Sequence, residues 1–195
     1  MPLPCLGMAT TAVSVADICA AARDASRVLS RLDGATRTAA LFAMASALEA
    51  RADEILEANA RDMEAGEEAG LHSGLLDRLK LTEERLAGIA GDVRKIAALP
   101  DPVGETIDGH RLENGLDVRR VRVPLGVVAV VYEARPNVTV DCSALCLKSG
   151  NAIVLRGSST AAHSNAVLAQ VVAGAVQWLG LPDGAISIVT GGDRD

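Results

Sequence analysis

A chain of 195 residues that is 49% hydrophobic and 23% charged is long enough for a sizeable core and too apolar to stay disordered. Its aromatic residues are Phe42, Tyr132 and Trp178, so stacking platforms for nucleic-acid bases are excluded and the core falls to Ala, Val, Leu and Ile. The formal charge of −6 is unevenly spread: residues 1–117 carry −8, whereas 118–180 carry +4, which suits a small anionic ligand better than a nucleic acid.

The first residues, "MPLPCLGMATTAVSVADICAAA", lack a basic region, and Asp17 interrupts their apolar part, so no signal peptide is expected. Residues 13–98 read as helices. In "VSVADICAAARDASRVLSRL", Val15, Ile18, Ala22, Ala25, Val28 and Leu29 share one face, and Asp33-Gly34 ends the pattern. "ATRTAALFAMASALEARADEILEANARDMEA" resumes it, with Leu41, Met44, Leu48 and Ile55 as the apolar stripe. After a break at "GEEAGLHSG", Thr82 is an expected N-cap, with Glu83 and Glu84 in the first turn favouring the helix dipole. This helix runs to about Leu99, where Pro100 and Pro102 close it. Asp108-Gly109 and Asn114-Gly115 then read as turns between extended segments, giving one or two hairpin-like ribbons. His72, His110 and His163 have no Cys or His partner nearby in sequence and are expected as solvated loop residues.

From Pro124 the pattern changes. Residues 126–131 form an expected buried strand, followed by a helix from about Val138 to Ser149 with Lys148 in its last turn and Gly150 at its stop. "AIVLR" (152–156) is a second buried strand and "GSSTAAHS" a small-residue loop. A helix from about Asn165 to Leu179 and a third strand at 185–189 complete a parallel α/β unit. The charge-free run from Pro124 to Tyr132, nine residues, is too short to cross a membrane. Cys5, Cys19, Cys142 and Cys146 show no zinc spacing. Cys142 and Cys146 are expected to pack as small apolar residues in a reduced, cytoplasmic setting.

Ligands of an open parallel sheet bind outside the carboxyl ends of its strands. The first strand opens into "YEARPNVTVD" and the second into "RGSSTAAHSN", which places Arg135 and Arg156 beside an expected common crevice. Guanidinium, hydroxyl and backbone N–H donors gathered there suit phosphate, although neither GxGxxG nor GxxxxGK[ST] is present. A purely structural alternative pairs Glu133 with Arg135 to fix the turn.

"VPLGVVAVVYEARPNVTVDCSALCLKSGNAIVLRGSS" resembles the signature of the glutamate-5-semialdehyde dehydrogenases, or γ-glutamyl phosphate reductases, of the aldehyde dehydrogenase superfamily. "LDRLKLTEERLAGIAGDVRKIAALPDPVGETIDG" and the Asp-Arg at 193–194 are similar to the same family. The resemblance implies an aldehyde-dehydrogenase-like α/β fold: an N-terminal helical part (1–103), a β-ribbon that serves as an oligomerisation arm (104–123), and half of a Rossmann-like NADP-binding domain (124–195). It implies NADPH-dependent reduction of L-glutamyl 5-phosphate in proline synthesis, with no nucleic-acid or membrane partner and a homo-oligomer when full length. By resemblance, Arg156, Gly157, Ser158 and Ser159 meet the cofactor. Ser159, where NAD-preferring relatives often carry Glu, points to NADP. Glu133, Arg135 and Asn137 are the implied substrate contacts, with either Glu133 or Asn137 at the reacting oxyanion and Arg135 at the substrate's carboxylate or acyl phosphate. The family's nucleophilic cysteine lies in a motif that this sequence lacks, so the chain reads as a fragment with that residue beyond Asp195 and the catalytic domain absent. Solubility of the isolated piece is doubtful on this reading, because sheet edge is left unpaired. A different NAD(P)-dependent aldehyde dehydrogenase and a non-catalytic nucleotide- or partner-binding module are the alternative readings.

Overall fold

The computed structural model describes residues 14–191; Cys5 and the Asp193-Arg194 pair lie outside the described residues. Helix α1 (Val15–Leu29) starts at Ser14, whose hydroxyl accepts from Asp17 N. Ala22, Ala25 and Leu29 form its buried stripe, whereas Val15 and Val28, expected on the same face, are exposed. The stripe is narrower than the sequence pattern because α1 lies across strands and covers them with only part of its circumference.

The long helical stretch that follows divides into α2 (Gly34–Ala50) and α3 (Ala52–Glu68). Arg51 breaks it at φ −113 and ψ 28, and its guanidinium grips Glu54 at 2.7 and 2.8 Å. An unbroken helix of that length would run about 50 Å. The corner instead lets α2 and α3 both pack on α7 (Ala162–Trp178). The short α4 (Ser73–Leu79) is capped by His72 Nδ1, so this histidine has a structural task. Thr82 caps α5 (Glu83–Ala98) as its sequence predicts, its hydroxyl accepting from Arg85 N.

Strands β1 (Thr106–Arg111) and β2 (Asp117–Val121) form one antiparallel ribbon, exposed along its length. Asn114-Gly115 makes its turn, with Gly115 at φ 84 and Asn114 Oδ1 accepting from Leu116 N. Asp108-Gly109 is not a turn. It lies inside β1 beside a register shift, where a Cβ on Gly109 would come within 2.9 Å of Val118 O. Glycine at a bulge of this kind admits the neighbouring backbone.

Strands β3 (Val127–Val131), β4 (Ala152–Arg156) and β5 (Ile186–Ile188) form a parallel sheet in the order β3-β4-β5. Helix α6 (Pro136–Lys148) joins β3 to β4, and α7 joins β4 to β5. Right-handed crossovers in one direction place both helices on one face. Helix α1 and α6 both pack on β4, and Ala152 to Leu155 are all buried, so the central strand is covered on both faces. β3 differs from the expected buried strand: Val128 and Val130 reach the core, but Val127, Ala129 and Val131 are exposed. Among the described residues it pairs with β4 alone, and the alternation places one of its faces on the core and leaves the other uncovered. One hydrophobic core runs from α1 to β5. Lys148 is buried in it, its Nζ donating to Ala97 O (2.7 Å) and Thr38 Oγ1 (3.3 Å). A cation is thereby placed at the C-terminal end of α5, where the helix dipole favours it.

Candidate functional site

Val131 and Arg156 are register partners, and Tyr132 N donates to Arg156 O (3.1 Å), so β3 and β4 leave the sheet side by side. Between them opens a cleft of about 850 Å³, walled by Val131, Tyr132, Glu133 and Ala134 on one side and by residues 156–160 on the other. Leu71 and Leu75 add an apolar border. A second cleft of about 340 Å³ lies on the far side of the 156–159 loop, against Ile188 to Gly191 and the start of α7. Arg156, Gly157, Ser158 and Ser159 thus stand in the wall between two cavities, and Arg156 Nη1 donates to Gly191 O.

A buried polar chain holds that loop. Tyr132 Oη lies 2.6 Å from Thr139 Oγ1, and Thr139 Oγ1 donates to Asn165 Oδ1 (3.1 Å). Asn165 Nδ2, buried and unpartnered, points at Gly157, where a Cβ would come within 2.2 Å of it and 3.2 Å of Tyr132 Cζ. A side chain at this position would have to displace Asn165. Ser158 Oγ accepts from Thr160 N (3.2 Å) and starts the 3₁₀ turn Ser159–Ala161.

Helix α7 begins at Ala162, three residues before its expected start, because its cap comes from elsewhere in the chain. Asp62 of α3 accepts from His163 N (3.1 Å), Ser164 N (2.7 Å) and Ser164 Oγ (2.6 Å). Two amides at this helix start, among the donors expected for phosphate, are therefore taken by the protein's own carboxylate. His163 lies in the helix's first turn and not in a loop. Asn59, one turn before Asp62, donates to Leu79 O and Ser164 Oγ and accepts from Leu81 N. Neither Asn59 nor Asp62 follows from motif reading. The available signal is two polar residues in the stripe that Ile55 begins.

The expected common crevice for Arg135 and Arg156 is two crevices. Ala134 and Pro136 turn inward, and Arg135 N donates to Glu133 O (2.8 Å). Glu133 consequently lines the large cleft, whereas Arg135 and Asn137 line a separate one of about 370 Å³ with Asp77, Arg78, Lys80 and Arg85. Glu133 and Arg135 form no ion pair among the described residues. Asn137 Nδ2 donates to Asp141 Oδ2 (3.0 Å). Burial pushes the Asp141 carboxyl up, opposed by this bond and aided by Asp92.

The α6 cysteines pack as expected for small apolar residues. Burial pushes the Cys146 thiol up to about 11, with Cys142 adding to the effect, and burial followed by Asp141 raises Cys142 as well. Both are thiols near neutrality and so poor nucleophiles. Among the described residues no group of three metal-ligating side chains occurs, and no helix is long and apolar enough to cross a membrane.

The family model for the aldehyde dehydrogenase family matches residues 6–195. A γ-glutamyl phosphate reductase of Moorella thermoacetica is 52% identical over 174 residues, covering 89% of this chain and 42% of the relative. One of Kineococcus radiotolerans is 50% identical over 95% of this chain and 43% of the relative. The crystal structure of γ-glutamyl phosphate reductase from Thermotoga maritima superimposes with a TM-score of 0.88 at 37% identity, over 92% of this chain and 43% of that one. The chain thus spans less than half the length of the curated relatives it matches.

Proposed function

The chain belongs to the aldehyde dehydrogenase family, and from that premise we propose that its whole protein reduces L-glutamyl 5-phosphate with NADPH to L-glutamate 5-semialdehyde and phosphate, the second step of proline synthesis from glutamate. The observation that carries this reading is the pairing of Val131 with Arg156 at the sheet's carboxyl edge, which sets Glu133 and the 156–159 loop beside one cleft. The residues present fit NADPH: a guanidinium at the strand end, an exposed Ser159 hydroxyl, no carboxylate within 156–160, and apolar walls at Val131, Leu71 and Leu75. The cofactor supplies hydride. Arg156 binds its 2′-phosphate, Gly157 lets the backbone come close, and Ser158 with Ser159 offers hydroxyls without repelling the anion.

On this reading Glu133 borders the reacting end of the cleft, and Arg135 and Asn137 receive anionic parts of the substrate from the other side of the turn. Neither α6 cysteine serves as the nucleophilic thiolate on this reading, since burial raises the Cys142 and Cys146 thiols. The 104–123 ribbon, with Ile107, Val118 and Val121 exposed, pairs with another copy of the chain. The cytoplasm is the compartment that suits four cysteines with no disulfide framework.

Calorimetry of NADPH and NADH on the 195-residue chain and its Arg156→Ala variant tests the cofactor assignment. The expected result is NADPH binding weakened at least about tenfold with NADH little changed, as for loss of a charge-assisted phosphate contact. Equal weakening of both would remove the 2′-phosphate from Arg156.

A further inference from the structure

Arg78, Lys80 and Arg135 line one cleft of about 370 Å³, and no side-chain hydrogen bond or ion pair engages any of the three among the described residues. The two carboxylates that line the cleft are already matched. Asp77 Oδ1 accepts from Arg85 Nη2 (2.7 Å), and Asp92 Oδ1 accepts from Lys95 Nζ (2.8 Å). Arg85 Nη1 is committed to the carbonyls of Asp77 (2.5 Å) and Lys80 (2.9 Å). Three positive charges are therefore left uncompensated around one concavity, an arrangement that an anion relieves.

The start of α6 adds to this field. Arg135 is its N-cap and makes no side-chain capping bond, and Pro136 contributes no N–H. The positive end of a 13-residue helix is thus uncapped by any side chain at the rim of the same cleft. Three cations exceed what a single carboxylate neutralises, and the planar guanidinium forks of Arg78 and Arg135 match phosphate oxygens.

We propose that Arg78, Lys80 and Arg135 bind a phosphoryl dianion in this cleft. Two sources carry that chemistry, the acyl phosphate of the substrate and the orthophosphate its reduction releases. That identification rests on the reaction proposed above, whereas the anion site does not. Arg78 and Lys80 come from the α4 end of the chain, so the site joins the helical layer to the 133–137 turn.

Titration of inorganic phosphate into the 195-residue chain at low ionic strength, followed by NMR shifts or calorimetry, tests the site. Arg78→Gln and Arg135→Gln are expected to weaken binding about tenfold each. Both side chains are exposed and unpartnered, so their variants should melt as the unaltered chain does. Arg111→Gln, on the ribbon, is expected to bind phosphate unchanged. Equal weakening by Arg111→Gln would reduce the effect to a general field, and loss only with Arg156→Gln would move phosphate to the cofactor cleft; either overturns the proposal. Stronger binding of L-glutamate than of phosphate overturns the phosphoryl assignment. A phosphonate analogue of glutamyl phosphate that binds more tightly than orthophosphate assigns the site to substrate, and parity assigns it to the released ion. NADPH binding by the unaltered chain, measured in parallel, reports on the proposed reaction separately.

Discussion

Asp62 and Ser164, 102 residues apart in sequence, are joined by two hydrogen bonds: Asp62 Oδ2 accepts from Ser164 N at 2.7 Å and from Ser164 Oγ at 2.6 Å. With Oδ1 on His163 N, the carboxylate caps α7 and ties α3 to the loop that carries the candidate cofactor residues. Asp62→Ala leaves buried donors unmet and should cost about 2 kcal/mol. For a chain of this size that is a fall in Tm of about 4–8 °C. Asp62→Asn, which keeps one acceptor, should fall between, and thermal melts by circular dichroism rank the three.

Gly157 tolerates no side chain while Asn165 stands behind it. Gly157→Ala should displace the 156–159 loop and weaken NADPH binding about tenfold or more. Because the nearest obstacle is Asn165 Nδ2, adding Asn165→Ala should restore part of that loss. Additive effects in a double-mutant cycle would mean that the two residues do not oppose each other.

Ser159 is exposed beside the large cleft. Ser159→Glu sets a carboxylate where the 2′-phosphate is proposed to lie, so like-charge repulsion should weaken NADPH at least about tenfold and NADH much less. Comparing the two dissociation constants checks it; an unchanged ratio places the 2′-phosphate elsewhere.

Cys146 gives a pH dependence of definite sign. Its folded thiol holds its proton up to about 11, against an ordinary value of 9.0. Between these values the unfolded chain releases that proton and the folded chain does not. This contribution to stability is therefore full below about pH 9 and is lost as pH rises toward 11. Cys146→Ala should flatten that part of the decline in urea unfolding measured from pH 8 to 11. At pH 8 a thiol reagent should label exposed Cys19 well before Cys146.

Much of the fold is legible because it depends on neighbours in sequence. Thr82 caps its helix through a residue three positions on, and Gly150 at φ 75 ends α6 just past its last turn. The parallel unit follows from strands and helices alternating at crossover spacing. Gly109 misleads for the same local reason: Asp-Gly favours a turn, but the glycine serves a close approach by Val118 across the ribbon. The corner at Arg51 carries neither Gly nor Pro and gave the pattern no signal.

The sequence by itself determined the residue types at the sheet's carboxyl edge: a strand running into Glu133, Arg135 and Asn137, and another ending at Arg156 before Gly157, Ser158 and Ser159. It did so because strand ends and small-residue loops are local patterns. Only the tertiary structure decided how those residues are divided. The inward turn of Ala134 and Pro136 parts Glu133 from Arg135, and the α4–α5 region gives Arg135 its neighbours Arg78 and Lys80. It also decided where α7 begins, since its cap is a carboxylate from another helix. A polar group finds whichever partner packing brings within reach, and that partner is set by how α3 lies against α7, a distance in space that sequence separation does not encode.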